Sequence, residues 1–237
     1  MESLWNQSFK KGKGVNIEPS LCLYTPEQVY HALKQNDNIV SWLNFISNIY
    51  TPSKQYDILL IYPCSADKPY YKSRSYKALY KTLNSIADRE NRIHLITISE
   101  PYALIPEEFY YSKTEWYDCP GLFEWFCRKH KLNYNQEIVD YCIDILASAI
   151  TKFLKRNISN YKTIIACVRT YTSQLASKHD HTHKRMLDIV NKEVDNKIEI
   201  IPPAEVISTI NKFAWDRYGV SHPIVQSYLY HEIIKRL

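Results

Sequence analysis

The sequence predicts an α/β domain with a four-stranded, mostly parallel central sheet and helices on both of its faces. Four short runs of apolar and β-branched residues are typical of buried strands, and stretches with helical periodicity separate them. Such alternation favours parallel strands joined by helical crossovers. The chain has 237 residues, of which 45% are hydrophobic, so it can bury a sizeable core.

The first 54 residues are predicted to form a polar arm and a helical extension that packs on the core. Residues 1–20 are polar and contain the basic run Lys10-Lys11-Gly12-Lys13-Gly14. In Thr25-Pro26-Glu27-Gln28, a threonine at the N-cap, a proline at N1 and a glutamine at N3 predict the start of a helix. A second helix is predicted over 38–50.

The remaining residues, 55–237, are predicted to form one α/β core. Its strands are expected at 56–62, 93–98, 163–168 and 198–201. Its helices are expected at 74–88, 121–131, 135–157, 173–192, 204–216 and 221–236. The segment 99–120 is interpreted as a proline-rich loop with a short turn.

Composition and missing motifs exclude several classes of protein. The net charge of +5 is too small to indicate nucleic-acid binding by itself. The six cysteines form no CxxC pair, which argues against a zinc ribbon and favours free thiols in a reducing cytoplasm. Neither a phosphate-binding glycine loop, a GxSxG elbow nor the motif set of a zinc deaminase occurs. No apolar run approaches the roughly 20 residues that span a membrane.

The loop Pro63-Cys64-Ser65-Ala66-Asp67-Lys68-Pro69-Tyr70-Tyr71-Lys72-Ser73 follows the first predicted strand. Ligands of open α/β sheets bind outside the carboxyl ends of the strands, so a functional loop is expected here. Cys64 is a candidate nucleophile, and Lys68 could stabilise a thiolate or a developing anion. Ser73 is placed to cap the next helix. A tight connection with a structural cysteine is the alternative.

Two later segments carry acidic residues near the same predicted edge. In Ser99-Glu100-Pro101-Tyr102-Ala103-Leu104-Ile105-Pro106-Glu107-Glu108, Glu100 or Glu107 could bind an amine or act as a base, or could lie in a solvated turn. In Trp116-Tyr117-Asp118-Cys119-Pro120-Gly121, Asp118 could accept hydrogen bonds from a base edge or an ammonium group. The alternative for Asp118 is a helix N-cap.

The run His179-Asp180-His181-Thr182-His183 looks like a metal cluster but lacks the glutamate of an HExxH motif. It is therefore interpreted as a solvated polar face of a helix, and no metal site is predicted.

Three of these segments resemble archaeosine synthase, the archaeal paralogue of tRNA-guanine transglycosylase. The loop from Pro63 to Ser73 is similar to the family motif P-C-x3-K-P-Y-x2-S-x2-H. The segment 98–108 resembles a family segment with serine, proline and glutamate, and Tyr117-Asp118-Cys119-Pro120 resembles its Y-D-x-P stretch. The three occur in the family's order within about 55–210.

The resemblance implies a uracil-DNA-glycosylase-like, three-layer α/β/α core. It also implies a reaction, the addition of lysine to the nitrile of 7-cyano-7-deazaguanine in tRNA, after which a radical-SAM lyase cleaves the adduct. The nitrile is itself an electrophile, so no ATP is needed and no cofactor is predicted. In this interpretation Cys64 forms a thioimidate or shapes the pocket, and Lys68 stabilises the developing nitrogen anion. Asp118 or Glu107 holds the base edge or the incoming lysine.

The predicted site residues form three groups. The catalytic candidates are Cys64, Lys68, Ser73 and Asp118. The candidates for substrate binding are Pro63, Ser65, Tyr70, Ser99, Glu100 and Glu107. The candidates for a basic rim that binds nucleic acid are Lys72, Arg74, Lys77 and Arg169.

The chain departs from the family in two respects. Tyr76 stands where the motif ends in histidine, so either the chemistry has changed or this position is structural. The family's full-length members also carry a transglycosylase-like domain and a PUA domain that grips tRNA. A separate subunit with such domains is therefore an expected partner, beside tRNA or a modified nucleobase. The alternatives are a non-catalytic module that binds nucleic acid or a partner, and a base-excision glycosylase.

Overall fold

A computed structural model describes Leu4 and residues 17–111, 116–172, 174 and 177–237. Most of the predicted polar arm, including its basic run at Lys10–Gly14, lies outside the described residues.

The centre of the fold is a five-stranded sheet in the order β3-β2-β1-β4-β5, in which only β3 is antiparallel to its neighbour. Its strands are β1 (Tyr56–Pro63), β2 (Ile93–Ser99), β3 (Ala103–Pro106), β4 (Tyr161–Cys167) and β5 (Ile198–Ile201). The central strand β1 is buried from Ile58 to Tyr62. Successive strand residues point to opposite faces, so both faces of the sheet are covered.

The sheet has one strand more than the four predicted. The additional strand β3 lies inside the segment 99–120, which was expected to be a loop. Glu100–Tyr102 form a turn, and Ala103, with a φ of +58°, leads the chain back along β2. β3 is four residues long and ends in a proline, which an edge strand tolerates but which hides a strand signal in the sequence.

Ten α-helices occur in the described residues. They are α1 (Pro26–Gln35), α2 (Asp37–Asn44), α3 (Arg74–Leu83), α4 (Arg89–Arg92), α5 (Glu124–His130), α6 (Gln136–Asn157), α7 (Thr182–Glu193), α8 (Ala204–Ser208), α9 (Lys212–Tyr218) and α10 (Pro223–Ile234). The helix expected at 173–192 thus begins only at Thr182, and the one expected at 204–216 is interrupted between α8 and α9. None of the helices in the described part of the chain is long and apolar enough to cross a membrane.

The predicted start of α1 is confirmed in detail. The Thr25 hydroxyl accepts a hydrogen bond from the backbone N–H of Gln28, and the Gln28 side chain accepts one from the backbone N–H of Thr25. This reciprocal pair satisfies two N–H groups that the helix itself leaves unpaired.

The helices pack in two groups. α1 contacts α2 and α6, and α6 contacts α7, whereas α3 contacts α10. The group of α3 and α10 covers the face of β1 that bears Tyr62. The Tyr62 hydroxyl accepts a hydrogen bond from the side chain of Gln226 in α10 at 3.1 Å. It donates one to the backbone carbonyl of Ser75 in α3 at 3.4 Å. The N-terminal extension is joined to the sheet by the Trp42 indole, which donates to the carbonyl of Leu104 at 3.0 Å.

Candidate active site

Cys64 lies at the carboxyl edge of the sheet, one residue beyond β1. Its backbone N–H donates to the carbonyl of Ile98 at 2.9 Å and so extends the pairing of β1 with β2. This backbone contact holds the residue at the strand end, where its partly exposed thiol faces a cavity.

The buried carboxylate of Glu100 meets this thiol from the end of β2. Glu100 is 1% exposed, and one of its oxygens accepts a hydrogen bond from the Thr182 hydroxyl. The other oxygen, Oε2, lies 2.9 Å from Nε2 of His183 and 4.0 Å from Sγ of Cys64. The same His183 nitrogen lies 3.8 Å from Sγ of Cys64.

The histidine of this cluster was missed from the sequence. His181 and Thr182 are 6% and 1% exposed, and His183 contacts Glu100, so the expectation of a solvated polar face is wrong. The error arose because α7 begins at Thr182, which places these residues at the start of the helix beside the sheet edge. The position of the run shortly after β4 was the signal that could have indicated this.

Glu100 and His183 form a buried ion pair. Burial disfavours the carboxylate, but the charge of His183 and the hydrogen bonds from His183 and Thr182 outweigh it and lower the pKa of Glu100. Burial likewise disfavours the imidazolium, but the Glu100 carboxylate and the contact with Cys64 raise the pKa of His183 to about 10. At neutral pH an anion and a cation therefore lie beside the thiol.

Lys68 is buried on the same side of the cavity. Its ammonium group donates to the carbonyl of Ser65 at 2.6 Å and lies 4.1 Å from the centre of the Tyr117 ring. The Tyr117 hydroxyl is hydrogen-bonded to the hydroxyls of Tyr70 and Ser99. Burial raises the pKa of Tyr117 well above its usual range, so it remains a neutral phenol. Tyr70 and Ser99 thus orient the ring on which the ammonium rests.

The cavity has a volume of about 300 Å³. Residues of the loop after β1, the segment after β2 and the start of α7 line it with Cys64, Ser65, Ala66, Lys68, Glu100 and His183. The residues leading into α5 and those of α5 add Tyr117, Asp118, Cys119, Pro120, Phe123, Trp125, Phe126, Lys129 and His130. A lining that combines polar groups with several aromatic rings suits a flat ligand with polar edges.

Of the ten residues predicted for catalysis and substrate binding, five lie outside this lining: Pro63, Tyr70, Ser73, Ser99 and Glu107. Ser73 is buried and caps α3, because its hydroxyl accepts a hydrogen bond from the backbone N–H of Tyr76 at 3.2 Å. Glu107 instead forms a bidentate ion pair with Arg89 at 3.0 and 3.1 Å.

Tyr76, which replaces the histidine of the resembled motif, is fully buried. Its hydroxyl is hydrogen-bonded to that of Thr97, and its ring stacks on Tyr70 with 5.0 Å between centroids. Of the two alternatives for this position, the contacts favour the structural one.

The four residues predicted as a basic rim also lie outside the lining of the cavity. Lys72, Arg74 and Lys77 are exposed on α3 and the turn before it. Arg169 is held by the carbonyls of Trp215 and Asp216, at 3.0 and 2.8 Å, and burial lowers the pKa of its guanidinium. The lysines that line the cavity are Lys68 and Lys129, and Lys129 was not among the predicted residues.

The Cys64–Glu100–His183 cluster can support two kinds of chemistry. A thiol beside an ionised acid and an imidazolium is suited to nucleophilic attack followed by proton transfer. Since one nitrogen of His183 contacts both Cys64 and Glu100, this is not the linear relay of a hydrolase triad. The three ligand atoms also lie within 4.8 Å of one another, so they could hold a metal ion.

Comparison with known proteins gives the following matches. The family model described as "Domain of unknown function (DUF5591)" matches residues 39–200, about two thirds of the chain. Archaeosine synthase subunit alpha of Thermococcus kodakarensis is 26% identical over 140 residues, which cover 55% of this chain and 22% of that protein. The protein of the same name from Thermoplasma acidophilum is 32% identical over 92 residues, which cover 38% and 17%.

The chain thus spans about a fifth of the length of these relatives. Among solved structures, AF0587, a protein of unknown function, superposes with a TM-score of 0.47 at 18% identity, covering 81% of this chain and 49% of the other.

Proposed function

The chain belongs to the DUF5591 family, and from this premise we propose that it acts in archaeosine-type tRNA modification, adding an amine to the nitrile of a 7-deazaguanine base. The observation that carries the proposal is the meeting of Cys64, Glu100 and His183 in the lining of one cavity. Two relatives that match part of the chain are named as subunits of archaeosine synthase, which supports the substrate class. The core is proposed to be of the uracil-DNA-glycosylase-like, three-layer type.

The first step is addition of the Cys64 thiol to the nitrile carbon. The S–C bond forms, one π bond of the nitrile breaks, and the nitrogen takes a proton from the imidazolium of His183, 3.8 Å from the sulfur. The thiol proton passes to the ion pair, which restores His183. The product is a neutral thioimidate on the enzyme.

The second step is attack of the amine of free lysine on the thioimidate carbon. The C–N bond forms, the C–S bond breaks, and one amine proton passes to the departing thiolate. The sum of both steps is nitrile plus amine to amidine, which needs neither ATP nor a redox partner. Glu100 stabilises the cationic stages because it is a buried anion 4.0 Å from the sulfur.

The remaining lining residues are proposed to hold the base. The rings of Phe123 and Phe126 line the same cavity as Lys68 and are proposed as the stacking surface. The carboxylate of Asp118 lies at the same cavity and can accept hydrogen bonds from the amino group and ring N–H of the deazaguanine edge. A volume of about 300 Å³ suits one extruded nucleobase rather than a larger ligand.

The surface that holds the tRNA is proposed to be shared with a second subunit. The exposed Lys72, Arg74 and Lys77 can contact phosphates, and Arg169 supports the same region of the surface through its backbone contacts. A transglycosylase-like or PUA-containing subunit is the proposed carrier of most tRNA contacts. The two matching relatives are named as subunits of archaeosine synthase, which supports a function within an assembly. A radical-SAM lyase would then act on the adduct.

Two assays test this function. In the first, tRNA that carries 7-cyano-7-deazaguanine is incubated with the protein and labelled lysine, with and without a tRNA-binding transglycosylase subunit, and nucleosides are analysed by mass spectrometry. The wild type should form a lysine adduct. In the second, the free nitrile base is added without an amine, and intact-protein mass spectrometry should detect a covalent adduct of the base mass.

The thiol is tested by Cys64→Ala, with Cys142→Ala in α6 as the control for loss of a buried cysteine. Cys64→Ala should abolish both signals, and Cys142→Ala should keep them. Full transfer by Cys64→Ala would exclude the covalent route. Failure of the wild type in both assays, with tRNA still bound, would favour the non-catalytic binding module.

A further inference from the structure

The cluster of Cys64, Glu100 and His183 in the cavity lining combines the three side-chain types that bind zinc most often. Cysteine sulfur, histidine nitrogen and a carboxylate oxygen come from three separate elements, the loop after β1, the end of β2 and the start of α7. We propose that Cys64, Glu100 and His183 form a Zn²⁺ site, and that zinc bound there blocks the thiol. The metal site does not depend on the proposed transferase activity.

The distances between the ligand atoms come within about half an ångström of those in a tetrahedral zinc site. With Zn–S of about 2.3 Å and Zn–N and Zn–O of about 2.0–2.1 Å, tetrahedral angles place the ligand atoms about 3.4–3.6 Å apart. The observed separations are 3.8 Å for sulfur to nitrogen, 4.0 Å for sulfur to oxygen and 2.9 Å for nitrogen to oxygen. Shifts of about half an ångström therefore suffice to admit the ion.

The surroundings also match a metal site. The Thr182 hydroxyl donates to the Glu100 oxygen that does not face His183, which orients the carboxylate as outer hydrogen bonds do in metalloproteins. Three protein ligands leave the fourth position open towards the cavity, where water or a ligand can enter. A thiolate and an imidazole select zinc over magnesium or calcium, which prefer oxygen ligands.

Zinc coordination and nucleophilic attack exclude each other, since both use the Cys64 sulfur. When the ion binds, the protons of the thiol and the imidazolium leave to solvent. The Glu100–His183 ion pair is replaced by two bonds to the metal. The occupied site should therefore be inert to alkylating agents and to a nitrile.

Zinc binding is tested on the untagged full chain after treatment with a chelator and gel filtration. Titration with Zn²⁺ against a chromogenic chelator should give one ion per chain. Cys64→Ser, Glu100→Gln and His183→Asn should each weaken the affinity by at least about tenfold. His179→Asn, which alters a histidine of the same segment outside the cluster, should leave it unchanged. Equal binding by Cys64→Ser and wild type would overturn the site.

A second measurement uses only the wild type, so it does not depend on the folding of the variants. Iodoacetamide labelling of Cys64 is quantified by peptide mass spectrometry with and without one equivalent of Zn²⁺. Zinc should protect Cys64, whereas unprotected labelling would overturn the proposal. The transfer assay in chelator-containing buffer separates the two proposals, because removal of the zinc ion leaves the thiol of Cys64 free and the transfer activity intact.

Discussion

Substitution of His183 by asparagine should destabilise the fold through the carboxylate it leaves behind. Glu100 is 1% exposed, and His183 is its cationic partner at 2.9 Å. Removal of one partner of a buried ion pair costs about 3–5 kcal/mol. The variant can avoid an unpaired buried charge by protonating Glu100. Protonating a carboxyl of ordinary pKa at pH 7 costs about 3.7 kcal/mol, which sets an upper limit on this part of the loss. The expected loss is thus about 4 kcal/mol, or roughly 8–16 °C in Tm.

The loss should become smaller in acid. In the variant, each pH unit below 7 lowers the cost of protonating Glu100 by about 1.4 kcal/mol. The wild type also becomes more stable in acid, because folding raises the pKa of His183 to about 10. The stabilisation that His183 provides is complete below its unfolded pKa near 6.5 and is lost as the pH rises through its folded pKa. After this offset, the penalty of the variant should fall by about 2 kcal/mol between pH 7 and pH 5.

Urea unfolding followed by circular dichroism at pH 7 and pH 5 measures both effects. His31→Asn, an exposed histidine in α1, is the matched control and should stay within about 0.5 kcal/mol of the wild type. The double variant Glu100→Gln/His183→Asn removes both charges and should recover part of the loss. A His183→Asn penalty below about 1 kcal/mol at pH 7, or one that grows at pH 5, would refute the buried ion pair.

Three further substitutions test the structural roles of Ser73 and Tyr76 and the close approach of Gly219 to the side chain of Arg169. Ser73→Ala removes the N-cap of α3 and should lower the free energy of unfolding in urea by about 1 kcal/mol, with the transfer rate unchanged. Loss of the transfer rate at unchanged stability would instead make Ser73 a catalytic residue. Tyr76→Phe removes the hydroxyl that is hydrogen-bonded to Thr97 and should lower the free energy of unfolding by about 1–3 kcal/mol without changing the transfer rate. A stable but inactive variant would assign that hydroxyl to catalysis. Gly219→Ala places a methyl group 2.6 Å from Nε of Arg169 at a φ of +50°, so the Tm should fall by several degrees, and an unchanged Tm would contradict the close contact.

Much of the fold could be predicted because its signals are local. The strands β1, β2 and β5 were placed to within a residue at their ends and β4 to within two, since strands buried on both faces appear as continuous apolar runs. The strand β3 escaped prediction because its four residues depend on pairing with β2 rather than on their own pattern.

Of the candidate site, the sequence by itself predicted that the loops after β1 and β2 meet at the carboxyl edge, since parallel strands end at one edge. Cys64, Lys68 and Asp118 from the predicted catalytic set line the cavity there, and Ser73 does not. Only the tertiary structure decided that His183 completes the site. It follows Cys64 by 119 positions, and no local pattern encodes a contact across that distance. The crossover through α6 and β4 brings α7 to the sheet edge, and burial of Glu100 there requires a cationic partner, which His183 supplies.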